Sequence, residues 1–571
     1  MCSFRSTRWS LLPQVICGLW SLVFPLLLLA GCSVDEAQKP IVDSVATDPV
    51  AAGKPLNVIL IVVDTLRADH LGCYGYERDT SPFIDSLAGE GVLFERAFSQ
   101  SSYTGESISG LFSGVPPLVN PDGQGWWARP SREGVTLPKA FKEAGYVTGH
   151  FANSPVMGME GFSEHFDVFK CLMDQYSVSR IAPKLTNTAL EFSEVHKDDP
   201  FFLYLHYIDP HGPYEPPHEN YLRFADEVFP DPLHFHQQIL PNVSELMEDG
   251  FGPGEPRYED AKLRYDAEIS FVDDSLRVLV EGLKAQGVLD HTMIVLTSDH
   301  GEEMLEHQYY EHAWTLYNEV LRVPLIFWAP DMLQPGRVTT SVGHADILPT
   351  LAMLHDLDSD PKPFGGVPLF AKEEQGNWIP KFEDHPLYAG LYIESRSLLT
   401  GVLYKNHKLI QAQRWLDPKD CQRYFKIQRI LRDSVKDGFI PRVNLNNPVQ
   451  HELLFNLKED YEESQNLIES SPAVRDELRA LLSELGKAYT PAQNMATDDP
   501  FTTTNIDAVL DKLKVSPMKS PEEDAANMDE LLNALGYLGG DSEEDKDGGA
   551  ESGASVEEEN LEEKIKALGY F

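Results

Sequence analysis

The sequence predicts a doubly wound α/β domain on a mostly parallel sheet, followed by a smaller α+β domain. Three observations carry this. Runs such as NVILIVVD (57–64) are apolar and β-branched throughout, which suits strands buried on both faces rather than strands with one wet side. Helical segments separate these runs over residues 55–375, the alternation of a parallel sheet. Over 376–490 the chain changes to short strand-like segments and one amphipathic helix.

Taken in order, NVILIVVD is a strand ending in Asp64, at the edge where open α/β sheets bind ligands. SPFIDSLAGEG is a helix closed by glycine, ESISGLFSG the start of another, and LPKAFKEAG a third. VTGHFA and PFFLYLHYID (200–209) are strands. A long helix through AEISFVDDSLRVLVEGLKAQG leads to the strands TMIVLTSD (292–299) and VPLIFWA. LYAGLYI, SLLTGVLYK and HKLIQAQ then read as antiparallel strands, followed by HELLFNLKEDYEESQNLI and the helix VRDELRALLSELGKAY.

Both ends differ from this body. Arg5 and Arg8 precede an apolar run that closes on Leu29-Ala30-Gly31-Cys32, which resembles a bacterial lipobox. The expectation is a signal peptide over 1–31, acylated Cys32, and a tether over 32–54; an ordinary cleaved signal with an incidental cysteine is the alternative. Ser33 fits onward transport, so the expected place is the bacterial cell envelope, lipid-anchored to the outer membrane, periplasmic or surface-facing. Of the mature cysteines, Cys73, Cys171 and Cys421 allow one internal disulfide at most. Residues 491–571 form an acidic, largely disordered tail with two LGY-type repeats, LLNALGYLGG and KIKALGYF, which read as docked helical turns or a partner-docking peptide. Their 20 acidic residues and 6 lysines give 6 − 20 = −14 of the net −43, a balance that argues against nucleic acid as a partner. An anionic substrate must then be captured by local positive charge.

Four pieces carry chemistry: Asp64 in VVDTLRADHLGCYGY; Thr104 in SSYTGESISGLFSG; His211 in YIDPHGPYEPP; and Asp299, His300, His307 and His312 in TSDHGEEMLEHQYYEHAW. Alone, Asp299-His300 would read as a capping Asp beside a packing His.

With LYNEVLRVPLIF, HADILPTLAML and ELLFNLKEDYEESQNL, these segments resemble the sulfatase family of the alkaline phosphatase superfamily over about 55–490. The resemblance implies an alkaline phosphatase/sulfatase-like sheet and one divalent cation on Asp64, Thr104, Asp299 and His300. Calcium is the first expectation; manganese or zinc is permitted by the imidazole. It implies an anionic ester as partner, on a sulfated or phosphorylated glycan, lipid or small molecule, with the membrane met through the lipid anchor. Sulfatases proper carry a C/S-x-P/A-x-R loop whose first residue becomes formylglycine. At the corresponding place this chain has no such loop: its start falls on Thr104, its proline on Glu106 and its arginine on Ile108. That favours the threonine nucleophile of phosphatase and phosphotransfer relatives, with a mere N-cap role for Thr104 as the alternative, and Ser102 and Ser107 as lesser candidates. The family's lysine appears as Asn153, which leaves substrate contact to Asn153, His211, His307 and His312. His312 is the first choice as general acid, His211 the second; His307 is equally readable as structural. No D-x-x-x-H pair for a second ion occurs. The expected function is a metal-dependent sulfate-ester hydrolase; the alternatives are a phosphoric or phosphonate ester hydrolase or phosphotransferase, or a non-catalytic glycan-binding relative.

Overall fold

The computed structural model describes residues 56–117, 135–154, 156–158, 162–172, 180–230, 243–358, 365–373, 378–381, 383–393, 397–412 and 451–488. Cys32, the signal and tether, the acidic tail with its repeats, and Cys421 lie outside these residues. Neither Cys73 nor Cys171 is disulfide-bonded.

Eight strands form the main sheet: β1 (Asn57–Val63), β2 (Val92–Phe94), β3 (Val147–Ala152), β4 (Val168–Cys171), β5 (Phe201–Tyr207), β6 (Thr292–Thr297), β7 (Leu325–Trp328) and β8 (Gly336–Val338). Their spatial order is β8-β2-β7-β6-β1-β5-β3-β4. Only β7 runs against its neighbours, β2 and β6. The other pairings are parallel.

The period of two in β1 decides the layering. Ile59, Ile61 and Val63 join one core with Leu205, Leu279 and Leu283, whereas Val58, Leu60 and Val62 join another with Ile108, Phe112 and Phe141. The first core packs under α1 (Pro82–Glu90), α4 (Ala182–Val195) and α5 (Pro256–Ala285); the second lies under α2 (Thr104–Ser113), α3 (Leu137–Glu143) and α6 (Ile347–Leu354). With every β1 residue buried, truncating Leu60 to alanine costs about 2–5 kcal/mol. The 30-residue α5 begins where Glu255 accepts from the amides of Arg257 and Tyr258, with Pro256 at its first turn.

The C-terminal domain is a meander of β9 (Leu387–Ile393), β10 (Ser397–Tyr404), β11 (His407–Ala412) and β12 (His451–Asn456), all antiparallel. Lys405 and Asn406, both with positive φ, make the two-residue turn between β10 and β11, whose twist suits a hairpin. One face packs Val402, Leu409 and Leu454 against Leu478, Leu482 and Leu485 of α7 (Pro472–Ala488). The other buries Leu399, Ile410 and Phe455 against Phe98, Trp314 and Leu316 of the first domain.

Candidate active site

Parallel pairing brings the site together. Val62 lies in register with His206 on β5 and with Thr297 on β6. The residues just past β1 and β6, Asp64 and Asp299, therefore meet His206 at one sheet edge. Asp64, His206 and Asp299 each offer a ligand atom, these atoms lie within 4.8 Å of one another, and all three residues are fully buried. Thr65 turns the chain at φ 55°, and its amide donates to Asp299 Oδ1 at 3.1 Å. The His300 amide donates to the same oxygen at 2.9 Å.

Thr104 opens α2, and its predecessor Tyr103 is the extended N-cap residue with no side-chain cap bond. The capping alternative for Thr104 therefore fails. Its Oγ1 lies 3.2 Å from His300 Nε2. His300 Nδ1 donates to the Gly301 carbonyl at 2.9 Å, which leaves a lone pair on Nε2 facing Thr104 and, at 3.4 Å, Asp299 Oδ2. The two serines are committed elsewhere. Ser102 Oγ donates to Thr315 O at 2.7 Å, and Ser107 Oγ donates to Asp299 O at 2.6 Å. Ser107 also meets His344 Nδ1 at 3.2 Å, so it braces the loop carrying Asp299.

Electrostatics sort the imidazoles. Burial pushes His206 and His300 down to about 4, so both are neutral near pH 7. Burial alone would raise Asp299, but the imidazoles of His300 and His206 and the Thr104 hydroxyl outweigh it and hold the carboxylate at about 2. His312 differs. Burial would lower it, yet Glu302 overrides this and holds it at about 9. The contact is Nδ1 to Glu302 Oε1 at 2.8 Å, while Glu302 Oε2 accepts from the Tyr214 hydroxyl at 3.0 Å. The protonated His312 ring sits 4.4 Å from that of His300 and 5.0 Å from that of His211. His211 Nδ1 donates to Gly212 O at 2.7 Å, so in the neutral ring Nε2 is an acceptor.

Asn153 ends β3 beside β5: its amide donates to His206 O at 3.2 Å, and its Oδ1 accepts from the Ile208 amide at 2.7 Å. Its carbonyl oxygen therefore holds the His211 loop, and only Nδ2 is left for a substrate. His307 stacks on Tyr317 with ring centroids 3.7 Å apart and bonds Glu319 Oε1 at 2.5 Å, on the side of the C-terminal domain. This geometry corresponds to the structural one of its two readings. Sequence reasoning missed His206 and Glu302. A polar residue inside the buried strand FFLYLHY was the signal for the first; nothing in HGEEM marks the second.

The donor set fits a divalent cation: carboxyl oxygens and neutral imidazole nitrogens converge in a dry spot, and both are ligands for such an ion. A parallel α/β sheet with this cluster at its C-terminal edge and a hydroxyl at an adjoining helix start belongs to the class of ester hydrolases. A family model for sulfatases matches residues 56–357, and this chain belongs to the sulfatase family. Similar proteins include the uncharacterized sulfatase YidJ of Escherichia coli K12, 26% identical over 383 residues that cover 58% of this chain and 74% of that one. Human iduronate 2-sulfatase is 27% identical over 391 residues, covering 54% of this chain and 70% of its own length. Among solved structures, the phosphonate monoester hydrolase of Agrobacterium radiobacter shares the fold at a TM-score of 0.54 and 17% identity, covering 76% of this chain and 96% of that one.

Proposed function

We propose that this chain hydrolyses sulfate esters with a divalent cation and Thr104 as the nucleophile. The observation that carries this is the hydroxyl of Thr104, at a helix start and 3.2 Å from the lone pair of His300. Asp64, Asp299, His300 and the Thr104 oxygen would hold the cation, which when bound supplies the positive charge that acidifies the hydroxyl and balances the ester oxygens. Backbone amides in the first turn of α2 favour an anion there. Thr104 Oγ attacks sulfur in line and its proton passes to His211 Nε2. As the sulfur–oxygen ester bond breaks, His312 gives its Nε2 proton to the leaving alcohol. Water then attacks the sulfur of the Thr104 sulfate ester, His312 taking one water proton while the S–Oγ bond breaks and His211 returns its proton to the Thr104 oxygen, so the sum is ester plus water giving alcohol and sulfate.

A phosphonate or phosphate ester is the second reading, favoured by one observation: an alcohol stands where sulfatases proper carry the formylglycine precursor. The same Thr104 ester, passed to an alcohol instead of water, would make the enzyme a transferase. Aryl sulfate, phenyl phosphonate monoester and bis(p-nitrophenyl) phosphate, each assayed with Mn2+, Zn2+ and Ca2+, separate the readings. Sulfate release that survives Thr104→Ala removes the nucleophile assignment. Glycan binding without turnover of any ester, unchanged by Asp299→Ala, would instead support a binding protein.

We further propose that the mature chain is a lipoprotein of the cell envelope, held by acyl groups on Cys32; the lipobox supports this. No helix of the described residues is long and apolar enough to cross a membrane. Fatty-acid labelling in a bacterial host should mark the wild type, and label retained by Cys32→Ala would refute the anchor.

A further inference from the structure

We propose that His206 is itself a ligand of the cation through Nε2, and that this second imidazole makes the site select a transition-metal ion such as Mn2+ or Zn2+ over Ca2+. The inference rests on a cation occupying the cluster described above, and it revises the calcium expectation. His206 Nε2 lies 3.1 Å from Asp64 Oδ2. The matching separations on the other side of the cluster are 3.2 Å from His300 Nε2 to Thr104 Oγ1 and 3.4 Å from His300 Nε2 to Asp299 Oδ2. Neighbouring ligands of a six-coordinate ion are the square root of two bond lengths apart, about 3.0 Å for bonds of about 2.1 Å and about 3.4 Å for bonds of about 2.4 Å. All three separations fall in or within 0.1 Å of that range. The ligand atoms of Asp64, His206 and Asp299 all lie within 4.8 Å of one another, so one ion can reach all three.

The competing arrangement has His206 Nε2–H donate to Asp64, orienting a ligand without being one. Proton accounting leaves room for ligation. His206 Nδ1 lies 2.7 Å from the Tyr204 hydroxyl, and that hydroxyl also reaches Met157 Sδ at 3.6 Å. The Tyr204 hydrogen therefore has an acceptor of its own. Nδ1–H can donate to the Tyr204 oxygen, Tyr204 O–H to the thioether, and Nε2 is left as a lone pair aimed between two carboxyl groups. This is the outer-sphere support that a ligating imidazole needs, and it repeats what Gly301 O does for His300. Two nitrogens among five donors (Asp64, Asp299, His206, His300, Thr104) favour borderline transition metals, whereas calcium prefers oxygens alone.

The test counts nitrogens rather than turnover. Full-length protein is loaded with Mn2+, and directly bound histidine nitrogens are counted by pulsed electron paramagnetic resonance on 14N- and 15N-histidine samples. Affinities for Mn2+, Zn2+ and Ca2+ are measured by equilibrium dialysis for the wild type, His206→Gln and Tyr204→Phe, with circular dichroism as the fold control. The expected result is two nitrogens in the wild type and one in His206→Gln, with the Mn2+-over-Ca2+ preference reduced at least about tenfold. Tyr204→Phe should weaken Mn2+ about 10–100-fold. One nitrogen in the wild type, or an unchanged metal preference in a folded His206→Gln, overturns the proposal. Should His206→Gln not fold, the wild-type count and Tyr204→Phe decide. Two nitrogens without ester turnover would leave this inference standing and remove the functional reading; metal-dependent turnover with one nitrogen does the reverse.

Discussion

Two of the buried, charged clusters among the described residues are built in opposite ways. Between the domains, Lys408 is 2% exposed and its ammonium is fully engaged: 2.7 Å from Glu463 Oε1, 2.9 Å from Leu316 O and 3.0 Å from Asn318 Oδ1. Glu463 Oε2 in turn accepts from the Asn318 amide at 2.6 Å. That cluster carries its own counter-charge. At the sheet edge, Asp299 is equally buried, but its partners are two imidazoles that burial pushes down to about 4, a hydroxyl and backbone amides rather than a permanent cation. The structural charge cluster is closed by protein groups, whereas the candidate active site would be closed by the cation proposed above. Burial of charge is therefore not the mark of function here. Incomplete internal compensation is.

The largest effects that could break this contrast lie at the sheet edge. Thr104→Ala should lower ester hydrolysis by on the order of 10⁴-fold or more, with the melting temperature little changed, read by steady-state kinetics beside a thermal melt. Stripping the metal with a chelator should abolish turnover and destabilise the fold, and added Mn2+ should restore both. A melt indifferent to metal would mean the carboxyl cluster tolerates its own charge.

Next in size is the interdomain cluster. Lys408→Met leaves Glu463 buried without its cation and should cost about 3–5 kcal/mol in urea unfolding, with turnover per folded molecule close to wild type. Adding Glu463→Gln should recover much of that loss, since the stranded charge is then gone. If the double variant is as unstable as the single, the pair matters for packing rather than charge.

A smaller, pH-dependent effect tests His312. Glu302 raises it from the ordinary 6.5 to about 9, so the acid form persists across neutral pH and activity needing that proton falls as pH rises through about 9. The linked stability is complete below about 6.5 and lost as pH climbs to about 9. Glu302→Gln should move the alkaline limb of the activity profile to lower pH; with His312 back at the ordinary 6.5, about 3% of the activity would remain at pH 8. An unmoved limb would take the general-acid role away from His312.

Smallest is His307→Phe. Burial lowers His307, but Glu319 more than offsets this and raises it above the ordinary value, so the pair stabilises below that value and fades as pH rises past the raised one. Phenylalanine keeps the stack on Tyr317, so the loss should stay under about 1 kcal/mol in urea unfolding, and substrate KM should not move. A large rise in KM would return His307 to the substrate.

The strands that carry the site were legible because burial on both faces leaves a pattern: NVILIVV, FFLYLHY and TMIVLT appear as β1, β5 and β6. Asp64, Thr104, Asp299, His300 and His312 were legible through their order along the chain, each just past a strand or at a helix start. His206 was hidden by the apolar run around it. Glu302 was hidden because a glutamate beside a glycine looks like surface, and only folding places it under His312. Residues 168–171 and 182–195 had weaker patterns, an edge strand with half-exposed side chains and a helix whose outer face is polar.

By itself, the chain order set the alternation of strands and helices and chose which reactive side chains are present, because both depend on residue type and short spacing alone. The roles of those side chains were decided only in three dimensions. Asp64 and His206 stand 142 positions apart and meet at 3.1 Å because parallel strands pair in one register. Under the proposed mechanism, four imidazoles of identical chemistry serve as two lone-pair donors, one acid and one proton acceptor according to the oxygen each faces: a tyrosine hydroxyl, a glutamate and two backbone carbonyls. A proton's place on an imidazole is set by its neighbours, and neighbours are a property of the fold.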